Sequence, residues 1–147
     1  MKLLLNIQNN KINLLKLIDL QLWNLMYTLN TDIIEKYQCI EQTDTSLEYI
    51  FQFVPFSFFP PFYTHMNVEK IDNTFTTFTV NTPSHLVCKN CVKLETLMES
   101  IEITGNDHDI TIKLEFELNE DCKLLEPAVK TIFKKIFTRL KIYIESL

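Results

Sequence analysis

The chain has 147 residues, a length typical of one domain, and 46% of them are hydrophobic, which argues against disorder. Its net charge of −5 gives no general attraction to nucleic acid. Gly105 is the only glycine, so the sequence has neither a glycine-rich phosphate loop nor a dinucleotide-binding fingerprint. We therefore expect a single domain, residues 1–147, with no cofactor and no nucleic-acid partner.

The first thirty residues combine a short apolar stretch with a helical pattern. Residues 1–8 form either a first strand or the lead into a helix. Residues 10–29 carry apolar side chains at three-and-four spacing, to which Trp23 adds bulk. Asp19 and Asn24 are weak helix formers, so this region predicts one helix or two short ones.

No secretory signal precedes the four cysteines. The apolar start of the chain is interrupted by polar residues 8–10 before any cleavage-site pattern appears. No run reaches the roughly 18 apolar residues that a membrane-spanning helix requires. We expect a cytoplasmic protein without stable membrane insertion, and hence reduced thiols.

Between residues 33 and 118 the apolar period shortens towards two, which is typical of β-strands. The clearest strand is 109–118, where apolar and mostly charged side chains alternate. We expect the turns 72–73 and 105–108 to join two hairpins. The predicted strands, about six, are 33–42, 47–54, 62–71, 73–80, 92–104 and 109–118.

The C-terminal residues 127–147 predict a long amphipathic helix that begins at Pro127. Its apolar face must lie on another element. Its other face is rich in lysine and arginine, which we interpret as a solvated face. The apolar residues are Val129, Ile132, Phe133, Ile136, Phe137, Leu140, Tyr143, Ile144 and Leu147.

This order of elements resembles the helix-grip superfamily of START-related, polyketide cyclase and Bet v 1-like proteins. The resemblance is carried by a long strand (KLETLMESIEIT), a tight turn (GNDHD), an alternating strand (ITIKLEFEL) and a helix that ends in RLKIYIES. It implies an α+β fold in which a curved antiparallel sheet grips the C-terminal α-helix, with a hydrophobic cavity between them. Most members bind lipids or other apolar molecules, and a minority are enzymes or interaction modules.

On this fold, one set of apolar side chains is expected to line the cavity and bind a ligand. The same pattern is also typical of a packed core. The candidate ligand-binding residues are Tyr49, Phe51, Phe53, Phe62, Met66, Phe75, Met98 and Leu114 from the strands, and Phe133, Ile136, Phe137 and Leu140 from the helix.

The proline-broken loop 55–63 concentrates aromatic side chains. It is interpreted as a cavity lid, as a plug for the open end of the sheet, or as a site where a protein partner docks. The aromatic residues available to a partner are Phe56, Phe58 and Phe59.

Two further patterns carry less chemistry. His85, Cys88 and Cys91 have the spacing of a zinc knuckle, but no second cysteine pair completes it, so ordinary thiols and no metal are expected.

No catalytic triad or carboxylate pair stands out either. The carboxylates Glu95, Glu99, Glu115 and Glu117 fit a solvated sheet face. If the cavity does chemistry, Tyr49, Tyr63 and His65 are the nearest acid–base candidates.

The sequence therefore favours a non-enzymatic protein that binds a hydrophobic small molecule or lipid. The first alternative is an interaction module of the same fold with a filled core, which docks through its Phe-rich loop. The second is a cyclase-like or hydrolase-like enzyme. A large apolar pocket, a filled core or converging polar groups would distinguish the three.

Overall fold

A curved, largely antiparallel sheet forms the body of the fold in this computed structural model, which describes residues 1–55 and 59–147. Seven strands follow the order β1-β8-β7-β5-β4-β3-β2, and β6 pairs in parallel with β4. The predicted helix-grip architecture is confirmed. The strands are β1 (Lys2–Gln8), β2 (Ile34–Gln42), β3 (Ser46–Phe53), β4 (Phe62–Ile71), β5 (Thr74–Thr79), β6 (Val92–Lys93), β7 (Thr96–Gly105) and β8 (Asp109–Leu118).

The described residues form eight strands where about six were predicted, and the two additions have local causes. Residues 1–8 do not lead into a helix: β1 pairs with β8 along its whole length, from Lys2 opposite Glu115 to Gln8 opposite Asp109. The predicted strand 92–104 is divided into β6, which lies beside β4, and β7, which lies between β5 and β8.

The helices are α1 (Leu14–Leu17), α2 (Leu22–Leu29) and α3 (Glu126–Glu145), with short 3-10 turns at Ser84–Leu86 and Glu120–Leu125. The region 10–29 is two helices because the chain turns between them at Asp19. There the Asp19 carboxylate accepts a hydrogen bond from the backbone N–H of Gln21 at 2.8 Å.

Both predicted hairpins form. The β4–β5 turn places Asp72 at φ 53°, a conformation that aspartate tolerates better than most residues. In the β7–β8 hairpin, Gly105 has φ 126°, and a Cβ there would collide with the carbonyl oxygen of Asp109. The only glycine of the chain therefore lies where a side chain would not fit.

The 20-residue helix α3 packs its apolar face against the concave side of the sheet. Its exposed residues include Lys130, Lys134 and Lys135, so the basic side is solvated as expected. Its buried residues recur every three or four positions and are Ala128, Val129, Ile132, Ile136, Phe137, Leu140 and Ile144.

Among the described residues, the side-chain hydrogen bonds that join α3 to β1 and to the segment after α2 lie in the C-terminal half of the helix. On one side, Asn9 Nδ2 donates to the Ile144 carbonyl at 2.7 Å, and Lys141 Nζ donates to the Asn6 carbonyl at 2.6 Å. On the other side, Arg139 forms a two-pronged ion pair with the Asp32 carboxylate. Within the described part of the chain, no side chain of residues 126–138 makes a hydrogen bond or ion pair with another element.

Candidate functional site

A narrow cavity lies between the middle of α3 and the concave face of the sheet. Its volume is about 40 Å³, room for roughly two or three water molecules. Helix α2 closes one side with Trp23 and Met26. The lining is mostly apolar and consists of Trp23, Met26, Tyr49, Phe51, Phe53, Thr64, Met66, Leu94, Thr96, Glu99, Ile101, Leu114, Phe133, Ile136 and Phe137.

Eight of the twelve candidate ligand-binding residues line this cavity. Three others, Phe62, Phe75 and Leu140, are fully buried in the surrounding core but do not face the space. The contact of these residues with a ligand stays a prediction. The eight are Tyr49, Phe51, Phe53, Met66, Leu114, Phe133, Ile136 and Phe137.

The expected inward position of Met98 is wrong, since its side chain is 48% exposed. The pairing of β7 with β8 shifts register between Thr96 and Met98, as in a β-bulge. Beyond that point, side chains alternate so that Glu99, Ile101 and Ile103 point inward. The even-numbered residues from Met98 to Thr104 therefore face away from α3.

The same alternation buries a carboxyl group in the cavity wall. Glu99, expected on a solvated face, is 9% exposed and lines the cavity. Thr77 on β5 donates a hydrogen bond from its hydroxyl to Glu99 Oε2 at 2.5 Å. Burial raises the pKa of Glu99 above its ordinary value, and the Thr77 hydrogen bond only partly opposes this.

Two other polar side chains face the cavity from β3 and β4. The Thr64 hydroxyl is buried near the Tyr49 phenol, and it makes no hydrogen bond of ordinary geometry among the described residues. Burial raises the pKa of Tyr49, an effect that the neighbouring Trp23 and Thr64 side chains oppose only in part, so the phenol stays protonated. Polar groups in an otherwise apolar wall are the arrangement with which ligand sites orient their ligands.

His65 and Tyr63 do not belong to this site. Both lie on the opposite face of β4, beneath the segment 80–94, which bonds to their backbone carbonyls. The His65 ring is held at both nitrogens, by Thr82 Oγ1 and by Glu48 Oε2, each at 2.8 Å. Of the three acid–base candidates, only Tyr49 faces the cavity.

Cys88 and Cys91 are joined by a disulfide, so the expectation of reduced thiols is wrong for this pair. Cys39 and Cys122 are free thiols. Among the described residues, no group of three or more histidine, cysteine or acidic side chains could hold a metal ion. No helix in this part of the chain combines the length and apolar character of a membrane span.

The structure describes Pro55 and residues 59–63 of the Phe-rich loop. Phe56 and Phe58 lie outside the described residues. Phe59 is partly buried and packs against the core, and Phe62 is fully buried at the start of β4. The lid, plug and docking interpretations of residues 55–63 stay predictions.

Sequence reasoning missed several lining residues. The sequence did contain a signal for Glu99. Ile101 and Ile103 alternate on the inward face of β7, and Glu99 lies on the same face by that alternation. Trp23 and Met26 carried no such signal, since a helix pattern does not say which element it packs against. Leu94 and Thr96 lie where β6 passes into β7, a bend that alternation does not predict.

Comparisons with known proteins agree on the fold. The human StarD13 (DLC2) lipid transfer and protein localization domain matches with a TM-score of 0.67 and 10% identity, over 99% of this chain and 77% of that one. The protein TTHA0849 from Thermus thermophilus matches with a TM-score of 0.59 and 11% identity, over 99% and 94% of the two chains.

A plant protein matches in the same way. The major latex-like protein 151 from Panax ginseng has a TM-score of 0.57 and 12% identity, over 97% of this chain and 96% of that one. No protein-family model matches the chain, and no curated protein matches its sequence. These likenesses establish a START and Bet v 1-like helix-grip fold, as the sequence predicted.

The buried carboxyl of Glu99 gives a testable pH dependence. Its pKa in the folded protein lies above the ordinary value of 4.5, so between those two pKa values the folded protein retains a proton that the unfolded chain has lost. The free energy of unfolding should therefore decrease as pH rises from about 4.5 through the folded-state pKa. Urea denaturation between about pH 5 and pH 8 should show this decrease for the wild type and a smaller one for Glu99→Gln. The control is Glu102→Gln, on the exposed face of the same strand, and equal slopes for all three proteins would contradict the interpretation.

The two buried threonines should respond in opposite directions to the loss of a hydroxyl. Thr64→Val removes a buried hydroxyl without a partner and should raise the free energy of unfolding by about 1 kcal/mol. Thr77→Val leaves the Glu99 carboxyl unpaired and should lower it by about 1–3 kcal/mol. Both values come from urea denaturation at one pH, and a loss of stability in Thr64→Val would show that its hydroxyl has a partner.

Proposed function

We propose that this protein binds a hydrophobic small molecule or lipid in the space between α3 and the concave face of the sheet, as a single domain spanning residues 1–147. The observation that carries the proposal is an apolar-walled cavity into which buried polar groups point with hydrogen-bonding capacity unused. A core built only for packing leaves few such groups, because an unpaired buried hydroxyl costs about 1–3 kcal/mol.

The fold supports the same proposal of a hydrophobic-ligand site. The human StarD13 domain that shares it is described as a lipid transfer domain. A cavity between sheet and helix suits an apolar ligand because its walls are almost entirely aliphatic and aromatic. The structural similarity concerns the fold and does not identify the ligand. The class of ligand must therefore be inferred from the residues that line the cavity. The cytoplasmic location stays a prediction.

A ligand larger than a few water molecules requires the cavity to expand. The part of α3 before Arg139 is best placed to move, because its side chains make no hydrogen bond or ion pair with another element among the described residues. Phe133 is partly buried and lies edge-on to Phe116, with ring centroids 5.1 Å apart. We infer that a ligand separates α3 from β8 at this pair of rings.

The alternatives fit less well. An interaction module with a filled core has no need of a buried carboxyl and an unpaired hydroxyl on its concave face. A cyclase-like or hydrolase-like enzyme requires an acid and a base in reach of one substrate. Here Glu99 faces the cavity, but His65, the only histidine on the described strands, lies on the opposite face of β4.

The test is a fluorescence titration with N-phenyl-1-naphthylamine, an uncharged probe that emits strongly in apolar surroundings. The wild type should bind one probe per chain. Ile136→Trp fills the cavity and should weaken binding at least tenfold, a difference of about 1.4 kcal/mol. The matched control Ile142→Trp lies on the same helix with 64% exposure and should bind within about twofold of wild type.

Thermal denaturation of both variants separates a filled cavity from an unfolded protein. The opposite change, Leu114→Ala, enlarges the space and should preserve or strengthen probe binding. Absence of probe binding to the wild type, or equal binding by Ile136→Trp and Ile142→Trp, would refute the proposed site.

A further inference from the structure

We propose that the ligand is uncharged and carries a hydroxyl group, which binds to Glu99 in the wall of the cavity. The inference rests on the proposed function and specifies its class of ligand. It is carried by three features of the lining: the absence of a cation, the unused oxygen of Glu99, and a second unpaired hydroxyl on β4.

The first feature concerns charge. None of the described lining residues is a lysine, arginine or histidine. An anionic ligand, such as an ionised fatty acid, would therefore bury its carboxylate without a counter-ion and beside another carboxyl group. Both circumstances oppose binding, because a buried charge is tolerated only when it is paired.

The second feature concerns Glu99 itself. Thr77 occupies Glu99 Oε2, and among the described residues no hydrogen bond reaches the other oxygen, Oε1. Glu99 makes no ion pair with any described residue, and burial favours its neutral form. A neutral carboxyl group both donates and accepts hydrogen bonds, and so does a ligand hydroxyl.

A hydroxyl therefore suits Glu99 in either protonation state, whereas a ketone or ester could only accept. An ammonium group would require the carboxyl to ionise inside an apolar wall. Removing two charges from water costs more than their attraction returns unless further hydrogen bonds support the pair. Glu99 has one such supporting bond, from Thr77.

The third feature is independent of Glu99. Thr64 is 5% exposed, lines the same cavity from β4, and has no partner for its hydroxyl among the described residues. Strand β5 lies between β4 and β7, so Thr64 and Glu99 mark two separate polar points in the wall. Neither side chain carries a positive charge that would attract an anion. Both can form hydrogen bonds with an uncharged ligand.

The test compares three ligands that share one alkyl chain: octan-1-ol, octanoate and octylammonium. Each is titrated at neutral pH into the wild type with N-phenyl-1-naphthylamine bound, and the displacement of the probe is measured. Octan-1-ol should displace the probe at concentrations at least tenfold lower than either charged ligand. Equal or stronger displacement by octanoate, or by octylammonium, would overturn the inference.

Variants then assign the preference to Glu99. Glu99→Leu should weaken the binding of octan-1-ol about fivefold more than it weakens the binding of the probe, the factor that one neutral hydrogen bond supplies. Glu99→Gln keeps an uncharged donor and acceptor and should retain the octan-1-ol preference. Glu102→Leu, on the exposed face of the same strand, is the matched control and should change neither affinity.

The outcomes separate the two proposals. If the wild type does not bind the probe, the proposed function fails and the inference falls with it. If the probe binds normally but Glu99→Leu leaves the octan-1-ol affinity unchanged, the cavity binds ligands and only the role of Glu99 is wrong.

Discussion

The packing of α3 against the concave face of the sheet is the contact on which the rest of the structure depends. Phe116 on the inward face of β8 lies against Phe133 of α3, and α3 would expose seven buried residues without the sheet and its neighbours. Hydrophobic burial on this scale dominates the stability of a small fold. It is non-directional, however, and does not by itself decide how closely the helix approaches the sheet.

Directional contacts set that approach, and they are unevenly distributed. Asn9, Lys141 and Arg139 fix the C-terminal half of α3 to β1 and to the segment after α2. The part of α3 that lies over the cavity, residues 133–137, contacts the other elements through apolar side chains alone among the described residues. Apolar contacts can be exchanged for contacts with a ligand at little cost, whereas a broken buried hydrogen bond leaves an unpaired group. A ligand could therefore replace the apolar contacts of residues 133–137 without breaking a hydrogen bond made by their side chains.

Much of this arrangement could be predicted from the sequence because it depends on period. Alternation located β3, β4, β5 and β8, and the three-and-four spacing located α3. Period does not specify parity when a strand is interrupted. The bulge near Met98 exchanged the inward and outward faces of β7, so Met98 was placed inside and Glu99 outside. Long-range partners, such as the contact of Trp23 with Phe75 at 5.1 Å, depend on topology and leave no local pattern. The disulfide between Cys88 and Cys91 likewise depends on the covering segment that carries it.

The polar groups of the cavity give the fold a chemical identity that apolar packing alone would not. Glu99 is held in place by Thr77, and the unpaired Thr64 hydroxyl costs stability in the absence of a ligand. The most direct test of a ligand site here is a crystal structure of the protein with octan-1-ol. It should show the alkyl chain between α3 and the sheet, with the hydroxyl at a hydrogen-bonding distance of about 2.6–3.0 Å from Glu99. Density for the alcohol only at the protein surface, with no alkyl chain between α3 and the sheet, would contradict it.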